Sequence, residues 1–353
     1  MLETILDTYG LTHPPKTFGT GLINHTWLIE DATGNFILQR INDNIFRNPP
    51  DIAHNIRLIG TYLTTHYPDY LFVMPVLNNG QQDLVHVTGE GYFRLLPFVK
   101  NSHTIDVVAT PAQAYEAARQ FGRFTKLLSH FPTGDLKITL PDFHNLSLRY
   151  EQFETAVATG NRKRICKTAE TITYLHSNRN IVTTSEQIVR NTAFRKRVTH
   201  HDTKISNVLF DANNKGLCVI DLDTVMPGYF ISDVGDMLRT YLSPVSEEER
   251  DLTKVEVRSE FFAAVAAGYL GEMQAELSGE ERAHFVYAGK FMIYMQALRF
   301  LADYLNNDVY YGAAYEDQNL YRANNQVQLL KQLIIKEPEL NAILAELPGN
   351  QLN

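Results

Sequence analysis

Between Thr199 and Thr224 the chain reads Thr-His-His-Asp-Thr-Lys-Ile-Ser-Asn-Val-Leu-Phe-Asp-Ala-Asn-Asn-Lys-Gly-Leu-Cys-Val-Ile-Asp-Leu-Asp-Thr. A short polar loop runs into a strand, a turn and a second strand, Leu217–Ile220, that stops at carboxylates. Two strands joined this tightly pair with each other, so the helical sequence around them must fold about a β-hairpin and not into a plain bundle. His200, Asp202 and Asn207 keep the spacing His-x-Asp-x-x-x-x-Asn, and Asp221 and Asp223 follow at the far end of the hairpin. One small unit therefore gathers a base, an amide and two acids.

The sequence on either side differs in kind. Before it, Leu22–Glu30 and Phe36–Ile41 read as strands about the turn Asp31-Ala-Thr-Gly-Asn35, with Gly19-Thr20-Gly21 at their entrance. Arg47-Asn-Pro-Pro-Asp51 introduces a helix over Ile52–Thr64, apolar at 52, 56, 59 and 63. Leu71–Leu77, Asp83–Thr88 and Tyr92–Leu96 read as further strands, and Pro97-Phe-Val-Lys100 as a connector. After it the chain is mainly α. Thr110-Pro111 starts a long amphipathic helix with Tyr115, Ala118, Phe121, Phe124, Leu127 and Leu128 on its apolar face, Ser246-Glu-Glu-Glu249 has the form of a capping box opening another, and Glu281–Leu305, Tyr315–Ile335 and Pro338–Leu347 read as three more. The expected fold class is α+β: a small β-rich lobe over residues 1–98 and a larger helical lobe over 99–353.

Composition excludes several function classes. A net charge of −8 lacks the basic footprint of general nucleic-acid binding, so no nucleic-acid partner is expected. Cys166 and Cys218 form neither a disulfide framework nor a zinc-ribbon spacing. No run approaches the roughly 18 apolar residues of a membrane span, and the opening Met-Leu-Glu-Thr-Ile-Leu-Asp does not read as a signal peptide. The expectation is a cytoplasmic protein with no membrane partner. Its oligomeric state is not readable.

The residue types point to phosphoryl transfer, which needs an oriented nucleophile, metal ions to screen charge and cations for the moving phosphate oxygens. Asp202 has the reach of a base for an attacking hydroxyl, and Lys204 is placed to neutralise the transferred group. Asn207 can offer a magnesium ion its amide oxygen and Asp221 its carboxylate; Asp223 joins them if the strand runs on past Ile220. Gly19 and Gly21 would let backbone amides approach a triphosphate, and the connector's backbone at Pro97 and Val99 suits an adenine. ATP and Mg²⁺ are the expected cofactors.

His-x-Asp-Thr-Lys-x-x-Asn-Val-Leu followed by Val-Ile-Asp resembles the aminoglycoside phosphotransferase and choline kinase superfamily, which has a protein-kinase-like bilobal fold. Arg197–Lys204, Ile220–Gly228, Asp233-x-Gly-Asp236, Arg299–Leu305, the opening Gly-x-Gly-x-Ile-Asn24 and Ile37-Leu-Gln39 are similar to its N-acetylhexosamine 1-kinases. That resemblance implies transfer of the γ-phosphate of ATP to the anomeric hydroxyl of N-acetylglucosamine or N-acetylgalactosamine. It further implies Asp202 as base, Asn207 and Asp221 on magnesium, and Thr224, Arg299 and Tyr310 against the sugar.

Several residues keep two readings. Arg299 is either part of a sugar pocket or half of a solvent-facing i,i+4 pair with Asp303. Tyr310 and its neighbouring tyrosines suit a sugar face or core packing, and His144 is either a substrate contact or a capped loop histidine. Kinases carry a lysine on the third strand, and here Phe36-Ile-Leu-Gln39-Arg40-Ile has none, so Gln39 or Arg40 is expected to hold phosphate. Rival functions are a kinase of the same fold for another small alcohol, a non-catalytic nucleotide-binding module and a His-Asp phosphohydrolase; the hairpin after Asp202 disfavours the last.

Overall fold

The computed structural model describes residues 2–19 and 24–347. Helix α1 (Leu2–Asp7) and the short β1 (Lys16–Thr17) precede the hairpin of β2 (His25–Asp31) and β3 (Gly34–Ile41). Asp31 Oδ1 accepts from Thr33 N at 3.1 Å and Thr33 Oγ1 at 3.0 Å, which closes that turn. After α2 (Pro49–His66), β4 (Val85–Val87) and β5 (Gly91–Pro97) complete an antiparallel sheet in the order β1-β2-β3-β5-β4. Alternation sends Ile29, Leu38, Phe93 and Leu95 to one face, where they bury against Ile5, Leu6 and Leu11. The other face turns Gln39 and Arg94, directly opposed across β3 and β5, towards the rest of the chain.

The helical lobe contains α3 (Pro111–Leu127), α4 (Leu146–Thr159), α5 (Arg162–Lys167), α6 (Ala169–Ser177) and α7 (Asn180–Arg190). Short strands follow: β6 (Arg197–Thr199), the hairpin β7 (Val208–Phe210) with β8 (Gly216–Val219), and β9 (Met226–Gly228), which pairs back onto β6. Then come α8 (Phe230–Tyr241), α9 (Ser259–Met273), α10 (Gly279–Ala283), α11 (Phe285–Leu305) and α12 (Gln318–Glu346). The helix start read at Thr110-Pro111 is formed, as a capping box of Thr110 with Gln113, and fixes α3, which packs on α9. Helix α11 runs buried among α4, α8 and α12, apolar nearly all round as a central helix must be. Truncating one of its fully buried leucines, such as Leu298, is expected to cost about 2–5 kcal/mol. Gly235 allows α8 to touch α11, because a Cβ there would enter the Ala288 carbonyl.

One helix crosses between the lobes. Ile52, Ile56, Ile59 and Leu63 of α2 belong to the large core of the helical lobe, not to the sheet's own core. Asn55, fully buried in α2, donates to the carbonyls of Lys137 and Val225 at 2.9 and 3.0 Å and accepts from Lys137 N at 2.8 Å. The turn after Asp221 is thereby gripped from the N-terminal side.

Four expectations need correction. Ser246 opens no helix: its hydroxyl accepts from Glu248 N in a turn, and α9 begins only at Ser259, because no apolar periodicity follows the Ser-Glu-Glu-Glu run. Leu71–Leu77 is extended but pairs only through Val76 with Leu95. Pro338 does not divide the last helix; Leu340 and Leu344 continue the buried stripe of Leu329, Leu330 and Leu333, which offsets the roughly 3 kcal/mol penalty of an internal proline. Tyr115, assigned to the buried face of α3, is exposed. Among the described residues no helix is long and apolar enough to cross a membrane.

Candidate active site

The loop between β6 and β7 is held from beneath by α8. Asp233, fully buried, accepts from His200 N at 3.0 Å and His201 N at 2.8 Å, one carboxylate oxygen to each. Asp236 accepts from Thr203 N at 2.8 Å, Thr203 Oγ1 donates to Asp233 O at 2.8 Å, and Tyr241 Oη donates to Thr203 O at 2.6 Å. Burial pushes Asp233 up to about 7 despite its two N–H donors. This clamp sustains a backbone conformation few residues adopt: His201 has φ of 67° and Asp221 φ of 57°. Such left-handed positions cost of order 1–3 kcal/mol each and persist where surrounding structure over-determines them. Gly228 is required here, since a Cβ would enter the His201 ring.

Above that clamp lie the chemical groups. Lys204 Nζ is 3.1 Å from Asp202 Oδ1. Burial alone would lower the lysine pKa, and the charges of Asp202 and Asp236 outweigh it, so the ammonium is held charged. Asn207 Nδ2 donates to Asp202 O at 2.9 Å, which leaves its amide oxygen without a protein donor among the described residues. Ile220 N donates to Asn207 O at 2.8 Å and ties the second strand of the hairpin to the loop. Asp221 is solvent-accessible just past the end of β8, with no hydrogen bond or ion pair among the described residues. Desolvation, then the charges of Asp223 and Asp202, push it up to about 7. A free carboxylate oxygen and a free amide oxygen beside a second carboxylate form a donor set suited to a hard divalent cation completed by phosphate oxygens, so Asn207 and Asp221 fit magnesium.

Asp223 has a different setting from the one its spacing suggested. The left-handed turn at Asp221 ends the strand, and Leu222–Thr224 is a 3₁₀ turn, so the two carboxylates do not share a strand face. Asp223 is buried and its carboxylate is taken up by Arg94 through Oδ1 and by Asn24 through Oδ2, the latter at 2.8 Å. Asn24 in turn accepts from Asn42 N at 3.0 Å. Arg94, on β5, also donates from Nε and Nη2 to Gln39 Oε1 at 3.0 and 2.8 Å. Arg40 lies on the opposite face of the sheet, 4.0 Å from Glu90, because successive strand residues point opposite ways. Of the two residues considered for the missing lysine, only Gln39 therefore faces the cleft, and the buried cation there is Arg94.

The nucleotide side is less complete. Gly19 has φ of 77°, a conformation glycine adopts freely, while Gly21 lies outside the described residues. At the connector, Phe98 N donates to Asn35 O at 3.0 Å and Val99 O accepts from Ser102 Oγ at 2.7 Å. The Val99 N–H has no internal partner among the described residues, and Pro97 closes β5 just before it. Phe18 stands edge-on to Phe98 with ring centroids 6.2 Å apart.

Between α4 and α11 opens a cavity of about 490 Å³, lined among others by Arg149, Gln152, Arg299, Asp303, Tyr310 and Tyr311. Arg299 makes no ion pair with Asp303. Its Nη1 donates to Gln296 Oε1 at 3.3 Å, and its guanidinium lies 5.5–6.0 Å from the ring centres of Tyr311, Tyr310 and Phe143. Asp303 instead turns back to accept from Tyr310 N at 2.7 Å and Tyr311 N at 2.9 Å, fixing the loop after α11. Tyr310 is mostly exposed at the rim and Tyr311 is half-buried. His144 stacks on Phe143 and lies 5.3 Å from the His201 ring; burial, then the neighbouring His201, Arg299, Arg239 and Arg149, hold it well below the usual histidine range. Thr224 is buried and not part of that lining, its hydroxyl donating to His200 O at 2.6 Å.

The sequence singles out the candidate reacting groups but not the residues that hold them. Arg94 had no local signal, since its partners lie 55 and 129 residues away. Asp233 and Asp236 were noted only for resemblance; an i,i+3 pair of acids on an otherwise apolar helix could have marked them as spent on backbone amides. Arg149 went unread.

Known proteins agree with this architecture. The amicoumacin kinase hAmiN, in complex with AMP-PNP, Ca²⁺ and Ami, is 16% identical with a TM-score of 0.65, covering 94% of this chain and 92% of that one. A microcompartment-associated aminopropanol kinase is 16% identical with a TM-score of 0.66 over 97% of this chain and 98% of its own. The choline kinase LicA from Streptococcus pneumoniae is 12% identical with a TM-score of 0.56 over 94% and 97%. At these identities the likeness establishes the kinase-like fold. A sequence profile describing the phosphotransferase enzyme family matches residues 15–282, three quarters of the chain and the whole of the site's catalytic loop. The chain belongs to that phosphotransferase family, APH.

Proposed function

We propose that the protein transfers the γ-phosphate of ATP to the anomeric C1 hydroxyl of an N-acetylhexosamine, N-acetylglucosamine or N-acetylgalactosamine. Asp202 accepts the proton of the attacking hydroxyl or orients it, and Lys204, held charged beside it, neutralises the group in flight. Asn207 and Asp221 would hold the magnesium ion, which when bound screens the charge of the β- and γ-phosphates. The triphosphate enters past Gly19, and the adenine meets the backbone of Pro97 and Val99 beside the paired rings of Phe18 and Phe98.

One observation carries the choice of acceptor. Arg299 lines the cavity with no carboxylate partner, and Arg149 lines the same cavity with its pKa lowered by burial and by Arg299. Of the cavity's acids, Asp303 is spent on backbone N–H groups and Glu151 stands at the exposed edge, so the two guanidiniums disfavour a cationic acceptor such as choline, aminopropanol or an aminoglycoside, although kinases for such molecules share the fold. The cavity favours a neutral, oxygen-rich molecule able to take guanidinium hydrogen bonds and to lie on tyrosine faces. The resemblance of Arg299–Leu305 and Ile220–Gly228 to N-acetylhexosamine 1-kinases narrows that class to acetamido sugars. Tyr310 is read as the rim of this pocket, and Thr224 and His144, outside its lining, as further contacts of the sugar on the side of the catalytic loop.

The test is a panel of acetamido sugars, plain hexoses, choline, aminopropanol and an aminoglycoside with ATP and Mg²⁺. ADP release is scored and the phosphorylated oxygen mapped by phosphorus–proton coupling. Product at C1 of an acetamido sugar is the expected result. ADP release with an amino alcohol alone overturns the acceptor assignment, and no release with any member favours a non-catalytic nucleotide-binding module.

A further inference from the structure

We propose that Arg94 supplies, from β5, the interlobe cation that kinases of this fold class ordinarily carry on β3, and that it acts as a positioning residue for the metal-bearing turn by gripping Asp223. The inference rests on the nucleotide and magnesium half of the proposed function and not on the identity of the sugar.

The geometry is a single buried relay. Gln39 on β3 accepts two hydrogen bonds from the Arg94 guanidinium, which leaves Nη1 directed at Asp223 Oδ1. The Arg94 and Asp223 side chains are only 3% and 2% exposed, so this ion pair is screened very little by water. Asn24, immediately before β2, takes the other oxygen of Asp223. Among the described residues every donor to that carboxylate comes from the sheet lobe, while Asp223 itself belongs to the helical lobe. Separating the lobes therefore breaks this pair and leaves an unpaired charge on each side.

Asp223 lies in the single 3₁₀ turn Leu222–Thr224 that begins directly after Asp221. Asp221 holds a left-handed φ with no side-chain bond of its own to fix it, so its direction depends on what grips the turn behind it. Three anchors do so: Arg94 and Asn24 on Asp223, Thr224 Oγ1 on His200 O, and Asn55 on Val225 O. Only the first joins the sheet that covers the nucleotide to the carboxylate that meets the metal. In kinases the corresponding pair runs from a β3 lysine to a glutamate on a helix. Here the acid sits two residues past the metal ligand, so closing the lobes and aiming Asp221 become one event.

The experiment measures binding of the non-hydrolysable analogue AMP-PNP by calorimetry, with and without Mg²⁺, alongside thermal unfolding and steady-state rates. The variants are Arg94→Gln, Asp223→Asn, their double and Arg94→Lys. In the single variants the metal-free affinity is expected to change by less than about 3-fold, while the gain on adding Mg²⁺ falls by about 10-fold or more and kcat falls more than KM for the sugar. The double variant removes both charges, so its unfolding temperature recovers while the Mg²⁺-dependent gain does not. Arg94→Lys recovers little, because a lysine cannot bond Gln39 and Asp223 in the same fork. A double variant that regains both stability and the Mg²⁺-dependent gain reduces the pair to a structural bolt and overturns the proposal. Should the single variants not fold, the double variant alone decides. A wild-type protein with no Mg²⁺-dependent binding overturns this proposal together with the nucleotide assignment, whereas wild-type binding retained unchanged in the variants overturns this one alone.

Discussion

Replacing Arg299 by alanine separates recognition from folding. In the native protein the guanidinium has one weak hydrogen bond, to Gln296 Oε1 at 3.3 Å, and three aromatic neighbours with ring centres 5.5–6.0 Å away. Each partly exposed cation–π contact contributes about 0.5–1 kcal/mol at most, and no carboxylate is left orphaned by the change. The unfolding temperature should therefore fall by only a few degrees. Binding of the acceptor is another matter. Hydrogen bonds from a charged donor contribute about 1.5–3 kcal/mol each, and at 1.4 kcal/mol per factor of ten one such bond corresponds to roughly 10- to 150-fold in KM for the sugar. KM for ATP should stay within about 3-fold, because Arg299 is in the cavity between α4 and α11 and not at the connector. The assay is ADP release with each substrate varied in turn, with thermal unfolding run on the same preparation. Equal rises in both KM values, or a large loss of stability with an unchanged sugar KM, would refute the reasoning.

Three further outcomes are expected. Asp202→Asn should lower kcat by at least about 10²-fold while AMP-PNP binding by calorimetry stays within about 3-fold, as for loss of a positioned base. Asp303→Asn should loosen the Tyr310–Tyr311 loop by replacing one of two N–H acceptors with a donor, raising sugar KM and local hydrogen exchange together. His201 is buried with its pKa lowered to about 4, below an unfolded value of about 6.5, so the native state binds fewer protons than the unfolded one. Its contribution is present above pH of about 6.5 and lost as pH falls towards about 4, for a full difference of about 3 kcal/mol. The raised Asp233 works in the opposite direction, so the comparison is between wild type and His201→Asn, a residue tolerant of that φ. The variant should show a flatter fall in unfolding temperature from pH 7 to 5; an identical slope removes His201 as the cause.

The fold was legible wherever a local rule met no competitor. The loop from His200 to Asn207, the hairpin after it and the cap at Thr110 are short-range patterns, and each formed. Pro338 and Ser246 misled because both rules are local and tertiary packing outranked them. Strand parity could have chosen Gln39 over Arg40: the pair share one strand, so only one faces the cleft. Arg94 and Asp223 were beyond reach, since a buried ion pair between residues 129 apart leaves no trace in spacing.

The acids of the site divide by what they are spent on, and that division separates support from chemistry. Asp233, Asp236 and Asp303 are buried and saturated by backbone N–H groups, with Arg239 also on Asp236 and Asn319 on Asp303; each fixes a loop that carries another functional group. Asp223 is buried and saturated by side chains from the sheet lobe. Asp202 is accessible and touched only by Lys204, which moves with its own loop, and Asp221 is accessible and touched by nothing among the described residues. A carboxylate whose oxygens are already bonded has little left to offer a metal or a hydroxyl proton, whereas one left free in a cleft needs a cation or a proton from elsewhere. By that criterion, which uses no likeness to any other protein, Asp202 and Asp221 are the candidates left to act, and Asn207 keeps an amide oxygen without a protein donor among the described residues.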